Sequence, residues 1–153
     1  MRRLALLLAS NLGLGYAPVA PGTVGTLAGL PAFWLLAALP PAGYLLAWAG
    51  LAALAVWAAA VAGRHFGKVD DGRIVIDELV GYLATVALLP WSWSTALLGF
   101  CWFRLFDIVK PPPVNWIDRR CKNGFGVVFD DVAAGIYGAL ALRATLWLIG
   151  RLS

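Results

Sequence analysis

The run LALLLASNLGLGYAPVAPGTVGTLAGLPAFWLLAALPPAGYLLAWAGLAALAVWAAAVAG, residues 4–63, contains no Asp, Glu, Lys, Arg or His. A soluble fold of this size could not keep so long a charge-free stretch covered, because a small domain is mostly surface. The run is long enough to hold one membrane crossing and to form two, each needing about 20 residues of apolar helix. The whole composition agrees: 61% of the 153 residues are apolar and 13% are charged, against about 45–50% and about 25% in ordinary soluble domains. The expectation is a single domain, residues 1–153, with lipid as its solvent.

Proline and glycine punctuate this run. Residues 10–30, SNLGLGYAPVAPGTVGTLAGL, carry five glycines and Pro18 and Pro21, so a regular helix is not expected before about Thr23, and the segment reads as an ordered or re-entrant glycine-rich loop. A first helix follows over 23–39, Pro40 and Pro41 turn the chain, and a second covers 42–62. Beyond the charged stretch 64–77, a third apolar helix begins at Glu78 and stops at Leu89 before Pro90, with Trp91 and Trp93 marking an interface. A fourth runs over 95–109 until Pro111-Pro112-Pro113, and a polar loop leads to a last helix over 130–149. The fold class is therefore all-α, a compact multi-spanning membrane helical bundle of five helical pieces. Alternating crossings return every polar segment to one side. The third helix, about a dozen residues at about 1.5 Å each, is short for a hydrocarbon core of about 30 Å and reads as a half-span.

The formal charge of +4 raises nucleic acid as a partner, but the basic residues are dispersed and no basic stripe is interleaved with stacking aromatics, so no nucleic acid is expected. Arg2, Arg3, Arg64, Lys68 and the 104–122 cluster instead follow the positive-inside rule and place these segments in the cytoplasm, beside anionic head groups. Arg2-Arg3 before LALLLA imitates a secretion signal, but the apolar core is short and no clean small-residue cleavage site follows, so the N-terminus is expected to stay in the mature protein. Cys101 and Cys121 have no metal or redox spacing.

All eight acids lie between Asp70 and Asp131. Asp70-Asp71 precede Gly-Arg, an ordinary hydrophilic turn. Asp77-Glu78 and Asp130-Asp131 each open an expected helix, where a carboxylate caps free N–H groups, and capping accounts for part of their presence. Asp107 is different, because it ends a helix, where the dipole disfavours an anion. Arg104 one turn earlier can pair with it and Lys110 lies one turn later, giving a charged edge that is either a structural ion pair or part of a site. In the second reading Asp77, Glu78, Asp107, Asp130 and Asp131 surround a hard cation while Arg104 and Lys110 hold phosphate. Mg²⁺ suits such oxygen donors better than zinc, since His65 is the one histidine and no cysteine pair is in range.

The segment PGTVGT at 21–26 offers exposed N–H groups for phosphate ahead of a helix, although it is also an ordinary turn and N-cap and lacks the Gly-Lys-Ser/Thr ending of a Walker loop. Familiar phosphatase nucleophiles fail on spacing. Val127 and Asp107 stand where a Cys-x5-Arg pattern built on Cys121 or Cys101 needs arginine, no Asp-x-Asp motif exists, and His65 has no second histidine to work with. Phosphoryl chemistry here would therefore use a metal-activated water.

Four segments in order, APGTVGTLAGLP at 20–31, IVIDELVG at 74–81, FRLFDIVKPPPV at 103–114 and GFGVVFDDVAAG at 124–135, resemble the phosphatidylglycerophosphatase A family. The resemblance implies a magnesium-dependent enzyme of the bacterial inner membrane, facing the cytoplasm, that hydrolyses phosphatidylglycerophosphate to phosphatidylglycerol and inorganic phosphate. Carried onto matching positions, it points to Thr23, Thr26, Arg104 and Lys110 as substrate-binding residues. It points to Asp77, Glu78, Asp107, Asp130 and Asp131 as catalytic and metal-binding ones. The alternative from another class is a small cation-coupled transporter or channel subunit, which would place acids at mid-span depth rather than at one end of the helices.

Overall fold

The computed structural model describes residues 1–152, and every regular element among them is helical. Arg2–Ala9 forms α1, and a reversal through residues 11–13 leads to one 3-10 turn at Leu14–Tyr16. Then come α2 (Pro21–Leu27), α3 (Gly29–Leu36), α4 (Pro41–Phe66), α5 (Ile76–Thr85), α6 (Trp93–Val109), α7 (Val114–Arg120) and α8 (Gly124–Leu152).

Local chemistry explains these limits and their departures from the expected ones. The expected helix over 23–39 is two pieces and starts at Pro21, because Pro31 offers no N–H to the Leu27 carbonyl one turn back and the ladder breaks between α2 and α3. The reversal before them uses left-handed backbone at Asn11, Leu12 and Gly13. α4 begins with Pro41 at its first position, where a missing N–H is harmless, and leaves the helix through Gly67 at φ 72°. Ser92 caps α6, its Oγ accepting from the Thr95 N–H at 3.0 Å. The last helix starts six residues earlier than expected, at Gly124, with the Asn123 side chain accepting from the Gly126 N–H at 2.9 Å. The short α7 forms inside the expected polar loop.

The long α8 is the hub on which α4, α5, α6 and α7 pack. Its contact with α5 is made backbone to backbone. A Cβ added at Gly81 would stand 2.7 Å from the Asp131 carbonyl oxygen, and one at Gly135 would overlap the Gly81 carbonyl. Further along the same pair, Thr85 Oγ1 donates to the Gly135 carbonyl at 3.2 Å and a Cβ at Gly138 would press on Thr85. The matching order 81, 85 against 135, 138 makes α5 and α8 parallel neighbours. On the opposite side α4 clamps α5, with Tyr44 Oη donating to the Leu83 carbonyl at 2.7 Å and Trp48 Nε1 to the Val80 carbonyl at 3.1 Å. The face of α4 that enters the core is made of small residues, Ala52, Ala55, Ala59 and Ala62, which lets helix axes approach closely. Glycines also seat α2 and α3 on α5: added Cβ atoms at Gly22, Gly25 and Gly29 would strike Glu78, Val75 and Tyr82.

By length and composition, two helices among the described residues, Pro41–Phe66 and Gly124–Gly150, could cross a membrane. The ten residues of α5 extend about 15 Å and cannot do so alone.

Gly135→Val should force α5 and α8 apart and destabilise the fold by about 1–3 kcal/mol, the scale of overpacking, read as a lower thermal midpoint in detergent. Gly50→Ala, at a helical position with open space around it, should leave the midpoint unchanged or raise it slightly.

Candidate active site

The parallel crossing of α5 on α8 sets the chemistry beside it. Asp77 and Asp131 each precede a crossing glycine, Gly81 and Gly135, by four residues, so both carboxylates stand one turn before the closest approach of the two helices. A cavity of about 190 Å³ opens there, lined by Asp70, Asp77, Glu78, Asp107, Lys110, Asp130 and Asp131, with Pro21 and Gly22 of α2 on one side. Asp77 and Glu78 occupy the first turn of α5, and Asp107 lies in the last turn of α6. Lys110 follows that helix in left-handed backbone, φ 46°.

Asp130 and Asp131 do not open their helix as expected. They lie in its second turn, each 5% exposed. Backbone N–H groups there already have partners one turn back, so capping does not account for this pair.

The cations sort the carboxylates. Arg104 pairs with Glu78 and, at 2.6 Å, with Asp107, and Thr26 Oγ1 donates to Glu78 at 2.8 Å. Lys110 Nζ stands 2.7 Å from Asp130 and 3.1 Å from Asp118; it turns to these acids rather than to Asp107. Among the described residues Asp77 and Asp131 have no cationic partner. The Asp77 carboxylate receives the Glu78 N–H at 3.1 Å, and Asp131 Oδ2 is buried with no hydrogen bond at all.

Burial, then the neighbouring Glu78 and Asp130, push Asp77 well above the ordinary carboxylate range. Burial and Asp107 push Glu78 up to about 7 against the pull of Arg104 and Thr26. Burial works against charge on Lys110, but Asp130 and Asp118 outweigh it and raise its pKa. The cavity thus gathers more carboxyl groups than its two neighbouring cations can pair, and a buried carboxylate oxygen without a donor is costly.

That donor set fits a hard cation. No three acids among the described residues come together as a ready-made metal cage. Mg²⁺ does not need one, because it retains waters and commonly takes one or two carboxylates together with substrate phosphate. Asp77 and Asp131 are the two buried acids of the cavity wall without a cation.

Of the residues expected to bind substrate, Arg104 and Lys110 join the acids and Thr26 bonds to Glu78. Thr23 makes no side-chain hydrogen bond among the described residues and is not part of the cavity wall. Three residues lacked an assigned role in the sequence reading. Asp70 lines the cavity, while its neighbour Asp71 closes a turn on Arg73. Asp118 helps hold Lys110. Asn11 donates to the Gly25 and Val75 carbonyls at 3.3 and 2.8 Å, tying the glycine segment to the start of α5. An asparagine, a residue that tolerates left-handed backbone, at the start of a glycine-rich segment was the available signal for this last one.

A family model described as Phosphatidylglycerophosphatase A matches residues 7–146. A protein of that name from Escherichia coli K12 is 37% identical over 152 residues, covering 96% of this chain and 87% of the relative. Another, from Haemophilus influenzae, is 38% identical over 146 residues, covering 94% and 90%. A relative from Bacteroides thetaiotaomicron, named provisionally as a phosphatidylinositol-3-phosphatase, is 36% identical over 156 residues, covering 96% of each chain. No solved structure matches.

Arg104→Leu would strand Glu78 and Asp107 together in a mostly buried position, and breaking such a pair is expected to cost on the order of 3 kcal/mol. Glu78→Gln in that background should recover part of the loss. Thermal unfolding of the two single variants and the double one closes the cycle, and strict additivity would mean the bridge is not energetically coupled.

Proposed function

The chain belongs to the phosphatidylglycerophosphatase A family, whose activity is that of a phosphoric monoester hydrolase, and we propose that it removes the terminal phosphate of phosphatidylglycerophosphate, releasing phosphatidylglycerol and inorganic phosphate. One observation carries the chemical reading. Two buried carboxylates, Asp77 and Asp131, lack cations in a cavity where every other strongly buried acid has one.

In this reading Asp77 and Asp131 would hold Mg²⁺, which when bound supplies positive charge against the phosphoryl oxygens and acidifies water. Arg104 and Lys110 balance the remaining charge of the phosphate, a planar fork and a point charge respectively. Glu78, fixed by Thr26 and Arg104, orients the attacking water. Water oxygen bonds to phosphorus, the bond from phosphorus to the glycerol oxygen breaks, and that oxygen leaves with a proton as the lipid alcohol. Asp130 serves chiefly to place Lys110, and Asp107 to place Arg104.

We read the protein as a multi-pass protein of the bacterial inner membrane with this cavity at the cytoplasmic face. Large apolar side chains point outward along α4, α6 and α8, among them Leu46, Leu54, Leu97, Leu105, Leu140 and Trp147, a distribution a water-soluble monomer rarely tolerates. Arg64 and Lys68 at the end of α4, Lys110 after α6, and Arg119, Arg120 and Lys122 before α8 gather at the end that carries the cavity, as the positive-inside rule requires. The short α2 and α3, folded onto α5, would enter this face without crossing. The substrate's tails could then remain in the bilayer while its phosphate reaches the acids. A transporter finds no support, since Asp77, Asp107 and Asp131 lie near helix ends rather than at mid-span.

Purified protein given phosphatidylglycerophosphate in detergent should release phosphate with Mg²⁺ and stop when the metal is chelated. Asp77→Asn and Asp131→Asn should each reduce turnover at least a hundredfold while keeping the thermal midpoint, because each removes a proposed ligand and relieves a buried charge. Wild-type turnover in either variant would refute this assignment of the metal ligands.

A further inference from the structure

A second cavity, of about 490 Å³, shares no wall with the acidic one and has the opposite chemistry, being lined by Met1, Arg2, Trp57, Val61, Arg64 and His65. Trp57, Val61, Arg64 and His65 recur at i, i+4, i+7 and i+8 of α4 and make one stripe along it. Arg64 therefore lies about 10 Å further along the helix axis than Trp57, at about 1.5 Å per residue. Arg2 arrives from α1, which packs on α4. Among the described residues neither arginine is paired with a carboxylate, and no acid lines the cavity. Two guanidinium groups have been brought to one hollow with nothing to neutralise them.

We propose that this cavity binds an anionic phospholipid, its phosphodiester held by Arg2 and Arg64 and one acyl chain running down α4 over Val61 and Trp57. The shape of the stripe favours a lipid over a soluble anion: the arginines stand with Met1 and His65 at the end of an apolar helix, and the wall that continues along the helix is Val61 and Trp57. With no carboxylate in its wall to hold a cation, the cavity lacks the metal site proposed for hydrolysis and retains the lipid without cleaving it. It is a non-catalytic subsite for phosphodiester lipids, the class to which the product of the proposed reaction belongs. The inference rests on the membrane-embedded reading of the chain, not on the metal chemistry of the acidic cavity.

The test uses purified full-length protein in uncharged detergent, titrated with phosphatidylglycerol or phosphatidylcholine carrying brominated chains. Quenching at Trp57 is isolated as the difference between the wild type and Trp57→Phe. Phosphatidylglycerol should quench the Trp57 signal at about thirtyfold lower concentration than phosphatidylcholine, given roughly a kilocalorie of attraction for each of the two arginines. The variant Arg2→Gln/Arg64→Gln should lose that preference yet release phosphate from phosphatidylglycerophosphate at the wild-type rate, which shows it is folded. Equal quenching by both lipids, or a preference that survives in the double variant, overturns the proposal. So does displacement of the lipid by an equal concentration of glycerol phosphate, which would make the occupant a soluble anion. Loss of phosphate release in every form would instead count against the proposed reaction, because the quenching preference is read without turnover.

Discussion

The contact on which the rest depends is the glycine-to-glycine crossing of α5 and α8. Gly81 and Gly135 let two helix backbones meet without side chains between them, and a parallel crossing repeats its geometry one turn away. Residues four positions before each glycine are then neighbours by construction, and those residues are Asp77 and Asp131. Larger residues at the crossing would separate the carboxylates as well as the helices. Stability and chemistry are thus set by the same contact. The clamp of Tyr44 and Trp48 on the α5 carbonyls holds the short helix from behind, which it needs, since ten residues are marginal as an isolated helix in water.

Around that crossing the electrostatics follow a division of labour. Arg104 and Lys110 each bridge two acids, one within reach along the chain and one from a distant helix: Asp107 and Glu78 for the first, Asp118 and Asp130 for the second. Each bridge ties α6 or its exit to another element; Lys110 lines the cavity itself, while Arg104 stands behind the Glu78 and Asp107 that line it. Of the acids left without a cation, Asp77 and Asp131 are buried and Asp70 is exposed. Removing either bridge would add another unpaired charge to a place already short of cations, so the bridges are part of what permits Asp77 and Asp131 to remain unpaired.

The all-helical class was legible from the first sixty residues because charge-free length and the proline and glycine breaks that divide it are local properties. So was the membership of the acidic cluster, since clustering of acids in an otherwise apolar chain shows in one dimension. What escaped was anything that depends on packing. Asp130 and Asp131 read as helix-opening residues because the glycines and aromatics of 124–129 resemble a loop. In the structure Gly124 and Gly126 are glycines because α8 presses there against α4 and the Cys121 backbone, and the helix runs through them. Gly22 and Gly25, in the PGTVGT segment, read either as a phosphate-binding loop or as a turn and N-cap, and in the structure their immediate neighbours are Glu78 and Val75. Glycine marks close approach in both cases, and sequence does not say whether the approaching atom belongs to a ligand or to another helix. The Lys110 partners were missed for a related reason: Asp107 is close in sequence, but the left-handed backbone at Lys110 turns its side chain to Asp118 and Asp130.

The same end of the bundle carries both signs of charge in separate hollows, and on the membrane-embedded reading proposed above this arrangement follows from the solvent. A helix in hydrocarbon cannot place ionised groups along its length without heavy cost, so the ionisable residues of a small membrane protein are pressed into the few turns at the helix ends. There acids and bases would neutralise one another unless helices keep them apart. Here α5, α6 and α8 gather the acids while α1 and the end of α4 gather Arg2 and Arg64, and the small-residue face of α4 separates the two groups by packing directly into the core. Separation preserves both an uncompensated negative hollow and an uncompensated positive one. On the readings proposed above, a membrane interface would complete each, with a cation and its phosphate in one and an anionic head group in the other.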